Sequence, residues 1–139
     1  VKLLIGQDEA GFVLGQDGAA LNEIQIGTGT QVNISNLHYP GSALHEVVVC
    51  GMSRDSVTLA VQQMVQQIMG QAGWMCSGEA NVEPAGARLK LVVPAKAAAA
   101  VIGHGGKGAK MIRENCGVRL NVDMNMVPCG AGVNEQAVL

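Results

Sequence analysis

The stretch Val101-Ile102-Gly103-His104-Gly105-Gly106 decides the fold, because it recurs earlier in the chain as Val13-Leu14-Gly15-Gln16-Asp17-Gly18. Each copy ends in a tetrapeptide with glycine at both ends. Glycine has no Cβ and tolerates unusual dihedral angles, so such a turn lets the backbone approach a ligand closely. The recurrence predicts a duplicated supersecondary unit.

The repeat extends outward from the turn on both sides at a constant offset of 88 positions. The aligned pairs include Val1–Ile5 with Leu89–Val93, Gly29 with Gly117, and Val32–Ile34 with Leu120–Val122. Each copy therefore reads as a strand, a helix, the glycine turn, a second helix and a second strand.

Further elements follow each copy. In the second copy we expect a helix over about Lys107–Cys116, capped by Gly117, and a strand over Val118–Val122. In the first copy we expect a polar loop over 36–43, a strand over 44–50, and a helix with Ser53 as N-cap. A core-facing stripe of that helix would comprise Val57, Ala60, Val61, Met64, Val65 and Ile68.

These elements predict two domains, 1–70 and 87–139, joined by a Gly- and Ala-rich linker over 71–86. The second copy breaks off in its last strand, around 135–139, so its closing helix is missing from this sequence.

Charge is distributed unevenly between the two copies. The formal net charge is −2, yet all seven bases of residues 71–139 lie between Arg88 and Arg119, where Glu114 is the only acid. Residues 1–70 carry two bases against six acids. If the chain binds a polyanion, we expect the second copy to do so.

The second glycine turn has the chemistry of a phosphate site. Free N–H groups at the start of the following helix, with its dipole, favour an anion. Lys107 and Lys110 add positive side chains just after the turn.

On these residues the sequence resembles the KH (K homology) family of type I, whose order is β-α-α-β-β-α with a VIGxxG signature between its first two helices. The resemblance covers nearly the whole chain and is closest to the poly(C)-binding or Nova-like branch. It implies an α+β fold of two tandem type I KH domains, each with a three-stranded antiparallel sheet packed on helices. It also implies binding of about four nucleotides of single-stranded RNA or DNA in a groove whose bases rest on aliphatic side chains.

Carried over to the second copy, the resemblance implies a backbone clamp, an apolar floor and a facing strand. Arg119 occupies the strand position from which that branch sends an arginine to a base edge, which suits a C- or U-containing target. The implied RNA-binding residues are Val101, Ile102, Gly103, His104, Gly105, Gly106, Lys107, Lys110, Ile112, Arg119 and Leu120.

The first copy departs from the pattern. Asp17 places a carboxylate inside the turn, no lysine follows Gly18, and Gln31 replaces the strand arginine. We therefore expect weaker RNA binding there, or a role in protein contact. The residues concerned are Val13, Leu14, Gly15, Gln16, Asp17, Gly18 and Gln31.

Rival functions find less support. Gly103, Gly105 and Gly108 satisfy GxGxxG, but an alanine-rich helical segment separates them from the preceding strand, and the first copy lacks the pattern. No catalytic set stands out, so we expect no enzyme and no cofactor. The four cysteines show no CxxC pairing, which predicts no metal site and mostly buried thiols.

The remaining alternative is a degenerate KH scaffold for protein–protein interaction or self-association, through the first domain or the open face of the second. We expect no membrane span, and a nuclear or cytoplasmic location with a role in mRNA regulation.

Overall fold

The computed structural model describes residues 1–71, 89–123, 127–128 and 134–138. The chain divides into two compact units, Ile5–Arg88, and Val1–Leu4 together with Leu89–Leu139. Nearly all of the predicted linker, 71–86, lies outside the described residues. Every strand pairing described below is antiparallel, and the predicted α+β class is confirmed.

The elements follow the predicted order throughout the first copy, and as far as the second helix in the second copy. Two one-turn 3-10 helices, Gln16–Gly18 and His104–Gly106, form the glycine turns. The remaining elements are β1 (Lys2–Ile5), α1 (Gln7–Leu14), α2 (Ala19–Thr28), β2 (Thr30–His38), β3 (His45–Gly51), α3 (Arg54–Gln71), β4 (Lys90–Pro94), α4 (Ala95–Ile102), α5 (Lys107–Cys116), β5 (Val127–Pro128) and β6 (Asn134–Val138).

In the unit Ile5–Arg88, the helices cover one face of the β2–β3 pair. Val32 lies opposite Val49 in the strand register, and both are buried, as are Met64 of α3 and Val13 of α1. The alternate residues of β2 are exposed, as expected for a strand with one buried face. The helix α3 begins where its cap was predicted, because the Ser53 hydroxyl accepts the Ser56 N–H at 3.1 Å.

A buried histidine ties three elements of this unit together. The ring of His45, at the start of β3, bonds the Ser35 carbonyl of β2 at 3.0 Å and the Gln7 side-chain oxygen of α1 at 2.7 Å. It also lies against the ring of His38. Both ring nitrogens of this buried side chain therefore lie within hydrogen-bonding distance of a polar group.

In the other unit, β4 pairs with β6, and β6 pairs with the short β5. The strand β1 pairs with β4 on the other edge, with Leu3 opposite Leu91. These two leucines are equivalent under the 88-residue offset, so the first strand of one copy pairs with the first strand of the other. Leu3 and Val92 are buried in it.

Two predicted boundaries were wrong. The loop 36–43 is shorter than expected, because β2 continues to His38 and the Tyr39 N–H closes the turn on the Leu44 carbonyl at 2.7 Å. The segment Val118–Val122 forms no continuous strand, and Val122 alone makes a bridge. Aliphatic composition predicts an extended segment, but a strand also needs a hydrogen-bonded neighbour, which composition does not supply.

Candidate nucleic-acid interface

The two glycine turns have the same backbone conformation. The first glycine has φ/ψ of 68°/−171° at Gly15 and 70°/175° at Gly103. The third residue has 52°/25° at Asp17 and 62°/25° at Gly105. The last glycine has 79°/8° at Gly18 and 78°/6° at Gly106. Any difference in binding between the turns must therefore come from side chains.

The first glycine of each turn is required by close packing. A Cβ at Gly103 would lie 2.8 Å from the Gly108 nitrogen, and one at Gly15 would lie 2.6 Å from the Ala20 Cβ. The second helix thus begins directly against the turn. The last glycine has open space around it and is required instead by its left-handed φ.

The central residues of both turns face solvent. Gln16, Asp17, His104 and Gly105 are all exposed. Among the described residues, Asp17 is the one non-glycine with a positive φ. Aspartate tolerates this region better than most residues, so the first turn keeps its shape while presenting a carboxylate where the second presents a bare backbone.

The helices after the turns differ strongly in charge. In α5, Lys107, Lys110 and Arg113 are exposed. Lys110 lies 3.7 Å from Glu114, an exposed pair one helical turn apart; such pairs contribute only about 0.3–0.5 kcal/mol, so Lys110 can exchange this partner for a phosphate. In α2 there is no base, and Glu23 is exposed.

The predicted apolar floor is half-exposed in the second copy. Val101 and Ile102 of α4, Ile112 of α5 and Leu120 all have intermediate exposure. In the first copy Val13 is fully buried, and Leu14 keeps 38% of its surface exposed. The second copy therefore offers more aliphatic surface to a base, and Val13 can support a groove only from beneath it.

Arg119 and Gln31 were predicted at equivalent strand positions, but only Gln31 lies in a strand. Arg119 is exposed, next to the half-buried Leu120. Gln31 lies on the open face of the β2–β3 pair, where it lines a shallow depression of about 380 Å³ with Asn33, Ser35, Glu46, Val48 and Cys50.

Sequence reasoning missed one pair of contacts between the second helix and the facing segment. The Gln25 side-chain oxygen accepts the Val32 N–H at 2.9 Å. Arg113 donates to the Leu120 carbonyl from Nε at 3.1 Å and from Nη2 at 2.7 Å. The 88-residue offset makes Gln25 equivalent to Arg113 and Val32 to Leu120, and this alignment was the signal that could have found them.

The two thiols that the structure describes do not follow the expectation of burial, and Cys76 and Cys129 lie outside the described residues. Cys50 and Cys116 are exposed and unbridged. Within the described ranges there is no cluster of side chains suited to a metal ion. No helix in the same ranges is long and apolar enough to cross a membrane.

A unit of strand, helix, glycine turn and helix occurs twice, on antiparallel strands, and this arrangement defines a class of protein fold. The KH domain family model matches residues 1–66 and 88–137, so the chain belongs to the KH domain family.

Two curated relatives resemble nearly the whole chain. It is 22% identical over 144 aligned residues to the RNA-binding protein Pasilla of Drosophila melanogaster, and 26% identical over 148 to the human RNA-binding protein Nova-2. Each alignment covers 99% of the chain but only 18% of Pasilla and 30% of Nova-2. The chain thus spans less than a third of the length of either relative.

Proposed function

We propose that the chain binds single-stranded RNA, or DNA of the same form, and that the second repeat is the main binding site. The observation that carries this proposal is the contrast between two turns of identical backbone. The second turn presents His104 and Gly105 with two lysines just beyond, whereas the first presents Asp17. A phosphodiester meets favourable charge at the former and a carboxylate at the latter.

Three further features support this function. The KH domain family is associated with single-stranded nucleic acid, and both relatives are named as RNA-binding proteins. The half-exposed aliphatic residues beside the second turn suit bases, which rest on apolar surface in such grooves. Aromatic side chains are scarce, at one each of Phe, Tyr and Trp, so a stacking platform has little support.

Within this proposal, Arg119 reads a base edge and the preferred target contains C or U. A guanidinium group suits the carbonyl and ring-nitrogen acceptors of such bases. The role would be in post-transcriptional regulation of mRNA, in the nucleus or the cytoplasm. The first repeat would contribute weaker RNA binding.

The test replaces both exposed central residues of the second turn, as His104→Asp and Gly105→Asp. The turn should still form, because Asp17 already adopts the same backbone angles in the first repeat. Two carboxylates would then face the RNA backbone, so affinity for an eight-nucleotide C- and U-containing RNA should fall at least about a hundredfold, as measured by fluorescence anisotropy.

The matched control is His104→Asn with Gly105→Asn, which carries the same backbone cost without charge. It should retain most of the affinity. If the double aspartate variant melts like the parent and still binds RNA as tightly, the second turn is not the site, and the protein-interaction scaffold becomes the leading reading.

A further inference from the structure

The two compact units carry charges of opposite sign. Among the described residues of the unit Ile5–Arg88, six acids stand against one base, Arg54, which gives a net charge of −5. Among those of the unit formed by Val1–Leu4 and Leu89–Leu139, seven bases stand against three acids, a net charge of +4. The chain therefore contains both members of an electrostatically complementary pair of surfaces.

Three of the acids surround the first glycine turn. Asp17 lies within the turn, Asp8 lies in α1 before it and Glu23 lies in α2 after it, and all three are exposed. At a rise of about 1.5 Å per helical residue, Asp8 and Glu23 lie within about 10 Å of the turn along their helices. These three residues form the acidic turn surface.

The second glycine turn is surrounded by the opposite charge. Lys96 in α4, before the turn, and Lys107 and Lys110 in α5, after it, are all exposed. Lys96 is equivalent to Asp8 under the 88-residue offset, so one helix position changes sign between the repeats. These three lysines form the basic turn surface.

The acidic turn surface has the chemistry to replace a phosphate on the basic one. Lysine ammonium groups donate hydrogen bonds to carboxylate oxygens as they do to phosphate oxygens. All six charged side chains are exposed, so a second molecule can meet them without any unfolding. Contact between two surfaces of the same kind is disfavoured by like-charge repulsion. The pairing that the charges favour is therefore acidic with basic.

We propose that the acidic turn surface of one copy of the chain binds the basic turn surface of a second copy, and that single-stranded RNA displaces this contact. The interface joins two different surfaces, so it is heterologous, and a pair of copies leaves one surface of each kind for further copies. Because exposed charges form it, the contact is weak and sensitive to salt. Displacement by RNA rests on the proposed function, whereas the association of copies does not.

The first measurement is sedimentation velocity of the full chain without RNA, over a range of protein concentrations. The mean sedimentation coefficient should rise with concentration at an ionic strength of about 0.01 M, where the Debye length is about 30 Å. At about 0.15 M, where the Debye length is about 8 Å, the association constant should be at least about tenfold lower. A chain that stays monomeric at every concentration in low salt overturns the inference.

Charge reversal then locates the contact. Asp17→Lys with Glu23→Lys should abolish association, and so should Lys107→Glu with Lys110→Glu, because each pair of changes leaves two turn surfaces of like sign. All four changes in one chain restore opposite signs, so association should return. Association that persists in either pair, or that does not return in the fourfold variant, contradicts the proposed contact.

Asp55→Lys is the matched control for Asp17→Lys. Both acids are exposed in the same unit and both changes alter the net charge equally, but Asp55 lies at the start of α3, outside the acidic turn surface. Asp17→Lys should weaken association at least about fivefold, the factor that corresponds to one unit-charge interaction in water, and Asp55→Lys much less. Equal weakening would mean that net charge alone drives association, and the inference would be wrong.

Circular dichroism checks that each variant melts like the parent. If a charge reversal unfolds the chain, the neutral pairs Asp17→Asn with Glu23→Gln, and Lys107→Gln with Lys110→Gln, take its place. Each neutral pair should weaken association at least about tenfold, because it removes two charges from the contact. Unchanged association in both neutral pairs overturns the inference.

The last measurement adds a saturating eight-nucleotide C- and U-containing RNA at low salt. The chain should then sediment as a monomer with RNA bound. If anisotropy shows that the RNA binds while the assembly persists, the inference is overturned and the proposed function stands. If the RNA does not bind, the proposed function fails, and the charge-reversal series, which contains no RNA, still decides whether copies associate through these surfaces.

Discussion

At the scale of single residues, the third position of the glycine turn separates the repeats. Asp17 and Gly105 share one backbone conformation, so neither shape nor helix placement distinguishes them. The carboxylate of Asp17 is what distinguishes the two positions. Since the turn is exposed, a change of charge at this position should alter binding with little effect on the core.

Replacing Asp17 should therefore strengthen RNA binding by the first repeat. In the chain carrying the double aspartate second turn, Asp17→Lys should raise affinity for C- and U-containing RNA, and Asp17→Asn should raise it less. The expected gain is on the order of fivefold per unit of charge, from about 1 kcal/mol for two charges in water.

Asparagine tolerates the left-handed region as aspartate does, so it isolates charge from backbone strain. Salt titration provides a second check, because gains that arise from charge should shrink as ionic strength rises. Equal affinities for all three chains would mean that Asp17 is not what limits the first repeat.

At the scale of elements, the junction between the two helices depends on small residues. A Cβ on Gly108 would lie 2.6 Å from the Val101 carbonyl oxygen, so α5 starts in direct contact with the end of α4. The first repeat has Ala20 at the equivalent position, and its side chain leaves no room for a Cβ at Gly15. The same junction is thus packed by different residue pairs.

Gly108→Ala should consequently lower the free energy of unfolding by about 1–3 kcal/mol, as expected for overpacking against backbone. Gly11→Ala is the matched control: it lies in α1, with nothing within 4 Å of its added Cβ. That change should raise stability by about 0.5–1 kcal/mol, the usual gain from alanine over glycine in a helix.

Urea denaturation followed by circular dichroism would measure both changes. The packing account fails if Gly108→Ala is as stabilising as Gly11→Ala.

Sequence predicted the helices better than the strands. The bounds of α5, its glycine cap and the Ser53 cap of α3 were all confirmed, because capping chemistry is local. The prediction of a continuous strand over 118–122 was wrong, since strand pairing depends on a neighbour distant in sequence. The contacts of Gln25 and Arg113 were missed for a different reason: each joins a helix side chain to a backbone group seven positions later, across a turn, and a local sequence pattern does not specify such a contact.

At the scale of the whole molecule, the duplication gives two repeats whose glycine turns share a backbone conformation but differ in the charge around them. The helix after the second turn carries exposed Lys107, Lys110 and Arg113, whereas the helix after the first carries none. The net charge of −2 for the whole chain does not show this difference between the two repeats. Whole-chain composition therefore conceals the basic surroundings of the second turn.

The pairing of β1 with β4 could not be read from the sequence. The 88-residue offset showed that the two strands are equivalent, but equivalence does not specify partners. The structure places Val1–Leu4 in one compact unit with Leu89–Leu139. The domain bounds 1–70 and 87–139 were assigned from the repeat alone, and they stay a prediction.

The central claim, that RNA is held at the second glycine turn, is tested most directly by residue-resolved amide NMR. Titration of the full chain with an eight-nucleotide C- and U-containing RNA should shift the amides of Gly103, Gly105, Gly106 and Lys107 first and most strongly. The equivalent amides of the first turn should respond only at higher RNA concentration. Shifts confined to residues of the first repeat, or no shift at the second turn when RNA is bound, would contradict the account.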